Sequence, residues 1–192
     1  MINLNKEEKV FLISWFENIL SHELTEEQLQ QYQQGLFDSL FDFLSEQGFT
    51  EQVKQIKNEL GQLHQMPYAH LELAADFTQL FLLDGQVSAL PYASAYLEDK
   101  ALDDNLHFMD QLLKDFSLQV SRNNKEPSDH LAVYLEVLDK LVQESSLDEQ
   151  QDFIKNYLLT WLTPFNKRVQ NIRTKTMFYQ HIMALFLSIL SK

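Results

Sequence analysis

The sequence predicts an all-α fold, a bundle of roughly eight to ten helices. Three observations carry this. Glycine and proline number only 4 each in 192 residues, about a third of ordinary usage, too few for the many tight turns of an all-β chain. Apolar residues recur at helical spacing along most of the chain. Several of these runs open on an N-capping signal.

The elements follow in order. Asn5-Lys6-Glu7-Glu8 is a capping box opening a helix with Val10, Ile13, Phe16 and Leu20 on one face. Thr25 to Gln28 is a second capping signal, followed by Leu29, Tyr32, Leu36, Leu40, Phe41 and Leu44, with Gly35 a candidate break. Phe49-Thr50-Glu51 opens a helix carrying Val53, Ile56, Leu60 and Leu63, and Gln65-Met66-Pro67 connects it to the next. Leu73, Phe77, Leu80 and Phe81 make Ala69 to Leu83 helical, with Gly85 expected in the left-handed position that ends it. Val87 to Tyr96, holding Pro91, reads as an ordered loop. A helix from about Asp103 to Val120 turns Leu106, Met109, Leu113 and Phe116 inward. The polar stretch Ser121 to Pro127 follows, and Pro127 is expected at a first helical position with Asp129 in the first turn. That helix carries Leu131, Tyr134, Leu135, Leu138 and Val142; the next runs from Leu147 to Trp161 and is expected to end at Pro164. The last spans about Lys175 to Leu190.

The polar break divides the chain into an acidic N-terminal lobe (1–120), a hinge (121–127, including Glu126 and Pro127) and a C-terminal lobe (128–192), acting as one functional unit. Residues 1–120 hold 20 acidic and 6 basic side chains, against 8 and 9 in the rest. This acidic excess disfavours nucleic acid and anionic lipid and favours cationic ligands. A basic cluster of Lys167, Arg168, Arg173 and Lys175 reads as an anion site or as an exposed helix end. The absence of cysteine excludes disulfides, thiolate metal sites and a cysteine nucleophile. The run Val10 to Phe16 is flanked by Glu7, Glu8 and Glu17, unlike a secretory signal. Met183 to Leu190 is far short of the ~20 residues of a membrane span. The expectation is a soluble protein that stays in the compartment where it is made, without membrane insertion.

Catalytic motifs are missing: there is no G-x-x-x-x-G-K-[ST], G-x-G-x-x-G, H-E-x-x-H or G-x-S-x-G. No metal and no cofactor is expected, since no two of the six histidines lie four residues apart. Asp129 and His130 read either as a cation- or proton-handling pair or as a first-turn acid with a half-buried neighbour. Phe77, Leu80 and Phe81 read as core or as the lining of a peptide groove. Tyr92, Ser94 and Tyr96 alternate after Pro91, as aromatic anchors of a loop or as a surface for an extended ligand. From the residues alone the chain is an acidic helical binding protein.

Three segments take the reading further: Glu72-Leu73-Ala74-Ala75-Asp76-Phe77 with Leu80-Phe81-Leu82; Leu90-Pro91-Tyr92-Ala93-Ser94-Ala95-Tyr96; and Glu126-Pro127-Ser128-Asp129-His130-Leu131-Ala132 with Tyr134-Leu135-Glu136. In this order and spacing the chain resembles the TorD family of molybdoenzyme maturation chaperones. The second and third segments are closer to members serving trimethylamine-N-oxide reductase than to those serving dimethyl-sulfoxide or nitrate reductases. The resemblance implies a cytoplasmic, non-enzymatic chaperone. It would bind the twin-arginine signal peptide of apo trimethylamine-N-oxide reductase, delay its export and keep it competent for molybdenum cofactor insertion. It implies a two-lobed helical fold hinged at Glu126 and Pro127, as a monomer or a lobe-exchanged homodimer. By position it places signal-peptide binding on Phe77, Leu80, Phe81, Pro91, Tyr92, Ser94, Tyr96, Glu126, Asp129 and His130. A twin-arginine signal carries two guanidiniums ahead of an apolar stretch. Asp129, with Glu126, is therefore expected at the cationic end, and Phe77, Leu80, Tyr92 and Tyr96 at the apolar part.

Overall fold

The computed structural model describes residues 4–118 and 127–192. These form ten α-helices: α1 (Lys6–Ser21), α2 (Glu26–Gln33), α3 (Asp38–Leu44), α4 (Thr50–Leu63), α5 (Ala69–Phe77), α6 (Asp99–Asp115), α7 (Leu131–Glu144), α8 (Leu147–Asp152), α9 (Leu159–Asn171) and α10 (Phe178–Ser191). No strand is present among the described residues. The all-α expectation holds.

The expected caps form. Asn5 with Glu8, Thr25 with Gln28, and Ser146 with Glu149 each make a reciprocal capping box, at the starts of α1, α2 and α8. Gly35 does divide the second stretch, with φ +81°. The turn it makes leaves Leu36 exposed, although helical spacing had placed that residue inward. Gly48, also left-handed at φ +88°, separates α3 from α4.

Two π turns extend α-helices: Thr78–Leu82 after α5 and Phe153–Leu158 between α8 and α9. Each widens the helix by one residue per turn, which shifts the face presented to the core.

Five expected boundaries are corrected. Pro164 does not end its helix but lies inside α9. A proline there costs about 3 kcal/mol. Trp161, Leu162, Phe165 and Val169 on the same helix are all fully buried, and such side chains contribute roughly 1.5–3 kcal/mol each, so burial wins. Gly85 is not left-handed; the helix before it ends where Leu83 turns extended. The carboxylate of Asp84 then closes the turn by accepting from the Gln86 N–H at 2.8 Å. The helix expected from Pro127 starts at Leu131 with His130 as its N-cap, so Asp129 lies before the helix. Finally, α6 runs from Asp99 to Asp115 rather than from Asp103, and α10 starts at Phe178 rather than Lys175. The latter shift has a cause in Asp76. This buried carboxylate accepts from the Lys175 N–H (2.8 Å), the Thr176 N–H (2.8 Å) and the Thr176 hydroxyl (2.6 Å), and so holds the segment out of the helix.

Helix α1 packs along α7, and α10 packs against α9, α4 and α5. One hydrophobic cluster runs from Leu4 to Leu190 and takes in residues from every α-helix except α8. The core is thus continuous across the two expected lobes. Of the expected hinge only Pro127 falls among the described residues, and it is exposed; Glu126 lies outside them. No described helix is long and apolar enough to cross a membrane.

Candidate functional site

The loop after α5 is clamped at both ends. At its start the Ala89 N–H donates to the Leu80 carbonyl at 2.7 Å, and the Ser88 hydroxyl donates to the Gln79 carbonyl at 2.7 Å. The Arg168 guanidinium donates to the Ser88 carbonyl at 2.6 Å and also to that of Gly85. One member of the basic cluster thus ties α9 to this loop.

At its far end the loop meets the start of α7. The Leu131 N–H donates to the Pro91 carbonyl at 2.9 Å, and the Ala93 N–H to the Asp129 carbonyl at 2.9 Å. Between them Tyr92 and His130 form an isolated antiparallel bridge, with their rings 4.9 Å apart. The Asp129 carboxylate, 7 % exposed, accepts from the Ser94 N–H at 3.1 Å. His130 Nδ1 accepts from the Ala132 N–H at 3.2 Å, which places the hydrogen of the neutral ring on Nε2. A 3-10 turn at Ala93–Ala95 completes the clasp.

The structure therefore brings together the second and third sequence segments. Pro91 is buried, Tyr92, Tyr96 and His130 are half-buried, and Ser94 is exposed. The Tyr96 ring lies against Trp161 and Phe165. Burial pushes its hydroxyl up to about 12 despite the Arg168 charge, and that hydroxyl has no hydrogen-bond partner among the described residues.

The first segment behaves differently. Phe77, Leu80 and Phe81 are 3, 0 and 4 % exposed. Phe77 packs edge-on to Phe81 and Tyr179, and Phe81 also meets Phe165. These three are core, not the lining of an open groove. The apolar side chains that reach the surface beside the clasp are Leu82, Leu83 and Val87, at 59, 40 and 52 % exposure. Helical spacing did not single them out. The available signal was the run of four apolar residues from Leu80 to Leu83, since one helix end cannot bury four in succession.

Asp129 is corrected as well. It is buried and engaged with the loop backbone, so it does not present its charge at a surface. The same bonds argue against acid–base work, since Asp129 binds Ser94 and His130 caps its own helix. No group of three or more histidine, aspartate or glutamate side chains that could hold a metal occurs among the described residues.

The model of the nitrate reductase delta subunit family matches residues 42–167, which include the whole clasp. A chaperone protein TorD of Histophilus somni is 57 % identical over 192 residues, all of both chains. The chain belongs to the TorD family of molybdoenzyme maturation chaperones. A TorD of Pasteurella multocida is 50 % identical over 99 % of this chain and 97 % of its own, and one of Vibrio parahaemolyticus 36 % identical over 84 and 82 %. The family role is that of a chaperone, which needs no turnover, and its client is a molybdoenzyme. In TorD-family terms, the loop and helix-start segments form one clasp here, while the aromatic segment before them supplies the core beneath it.

Proposed function

We propose that this protein is a cytoplasmic chaperone dedicated to trimethylamine-N-oxide reductase. It binds the reductase's twin-arginine signal peptide and its apoenzyme, delays export and holds the client ready for the molybdenum cofactor. The reading rests above all on full-length similarity to proteins named TorD, the family members that the loop and clasp wording already resembled. The surface around the clasp suits the role. Exposed Leu82, Leu83 and Val87 lie on the loop that also presents Ser94, so they offer apolar contact beside backbone and hydroxyl groups for an extended or helical client segment. Pro91, Tyr92, Tyr96, Asp129 and His130 fix the shape of that loop. Phe77, Leu80 and Phe81 support it from below.

Calorimetric titration tests this. The signal peptides of the trimethylamine-N-oxide, dimethyl-sulfoxide and nitrate reductases of the same organism are titrated in turn. Saturable binding selective for the first supports the proposal. Selectivity for either of the others reassigns the client within the family. No binding to any of the three refutes signal-peptide recognition.

A further inference from the structure

Asp129 is buried, so it does not offer its carboxylate to the cationic end of such a signal. Carboxylates in the right setting occur elsewhere. Between α6 and the α7–α8 corner lies a hollow of about 540 Å³. Its floor is apolar: Phe108 and Leu112 from α6, Phe116 at its C-terminal cap, Leu141 from α7 and Phe153. Its rim carries four acids, Asp115 from α6 and Asp148, Glu149 and Asp152 from α8, all exposed.

None of the four is ion-paired among the described residues. Glu149 is engaged in the α8 capping box, and Asp152 accepts from the Asn156 amide at 2.6 Å. Lys114, next to Asp115, and Lys155, one helical turn beyond Asp152, do not line the hollow. Four like charges around an apolar floor repel one another and attract a ligand carrying two positive charges beside apolar side chains. The volume is that of an ordinary ligand cleft, with room for several aliphatic side chains. Behind the hollow a row of core rings runs towards the clasp: Phe108 on Phe153, Phe153 on Tyr134, Tyr134 on Trp161 and Trp161 on Tyr96.

We propose that the acid-rimmed hollow between α6 and α8 receives the paired arginines of the client's signal peptide together with the first apolar residues after them, with Asp115 and Asp148 as the principal guanidinium partners. This rests on the signal-peptide reading above and adds to it the place where the charged end docks.

The test uses the full chain and two synthetic peptides: the reductase signal peptide and the same peptide with both arginines replaced by glutamine. Asp115→Asn with Asp148→Asn is the groove variant. Glu46→Gln with Glu51→Gln removes the same charge from exposed residues that do not line the hollow. The groove variant should bind the natural peptide about tenfold more weakly, a difference of about 1.4 kcal/mol. The control pair should bind it as wild type does. The glutamine peptide should lose a similar factor on wild type and be indifferent to the groove substitutions. Equal affinity of wild type and groove variant for the natural peptide overturns the proposal and leaves the signal-peptide reading standing. Failure of wild type to bind either peptide overturns both. If the groove substitutions instead change the sedimentation of the protein alone, the hollow belongs to a second copy and the proposal fails.

Discussion

Replacing Asp76 by alanine takes one acceptor away from three donors. The carboxylate bridges α5 to the segment before α10, 99 and 100 residues further on, through the Lys175 N–H, the Thr176 N–H and the Thr176 hydroxyl. The two donors of Thr176 are buried and the Lys175 amide is partly so. A buried donor left without a partner costs roughly 1–3 kcal/mol. Two such donors in full, and a third that water reaches, give an expected loss of about 3–5 kcal/mol. That is a large share of the ~5–15 kcal/mol by which domains are stable. Urea unfolding followed by far-UV circular dichroism reads it as a lower midpoint at unchanged slope. Thr176→Val alone removes one hydroxyl donor and should cost less. In the double variant the two losses should fall short of additivity by about 1 kcal/mol, because they share one interaction. A loss below about 1 kcal/mol for Asp76→Ala, or strict additivity, refutes this account of the tie. The folded fraction of Asp76→Ala should still bind a cationic peptide, since a carboxylate 4 % exposed presents no charge to a ligand.

Two further expectations follow from the same geometry. Asp129→Ala should leave the helical content intact, cost about 1–2 kcal/mol and speed amide exchange at Ser94, while Asp129→Asn keeps an acceptor and most of the protection; unchanged exchange in the alanine variant refutes the clasp role. Burial raises the Glu17 carboxyl above its ordinary value, and the carboxylates of Glu136 and Asp139 push it the same way. A carboxyl raised in the folded state contributes stability that is complete below its unfolded value and lost as pH rises through its folded one. Glu17→Gln should therefore be more stable than wild type at pH 7. The gap should close as pH falls below the ordinary carboxylate value of about 4.3, where Glu17 of wild type is protonated in folded and unfolded states alike, and a pH-independent difference in Tm between the two would contradict the assignment.

Local chemistry was legible in the sequence wherever a few neighbouring residues decide the outcome. The capping boxes at Asn5 and Thr25, the break at Gly35, the start of α4 at Thr50 and the all-α class all depend on contacts within one or two turns, and all appear as read. So did the joint identity of the loop and helix-start segments, because their wording is specific. Tertiary structure alone decided the rest. Pro164 sits inside a helix because the burial of Trp161, Leu162, Phe165 and Val169 outweighs its cost. Asp129 looked like a surface acid for a cationic partner, yet its bond reaches a partner 35 residues away, as that of Asp76 reaches one 100 residues away, which no local pattern encodes. Phe77 and Phe81 pack on Tyr179 and Phe165 with Leu80 buried beside them, which makes the three core rather than groove lining, while Leu82, Leu83 and Val87 reach the surface. The acid-rimmed hollow is made by α6 and α8, far apart in the chain. Periodicity and capping state which residues a helix buries, but the identity of the opposing surface follows only from packing.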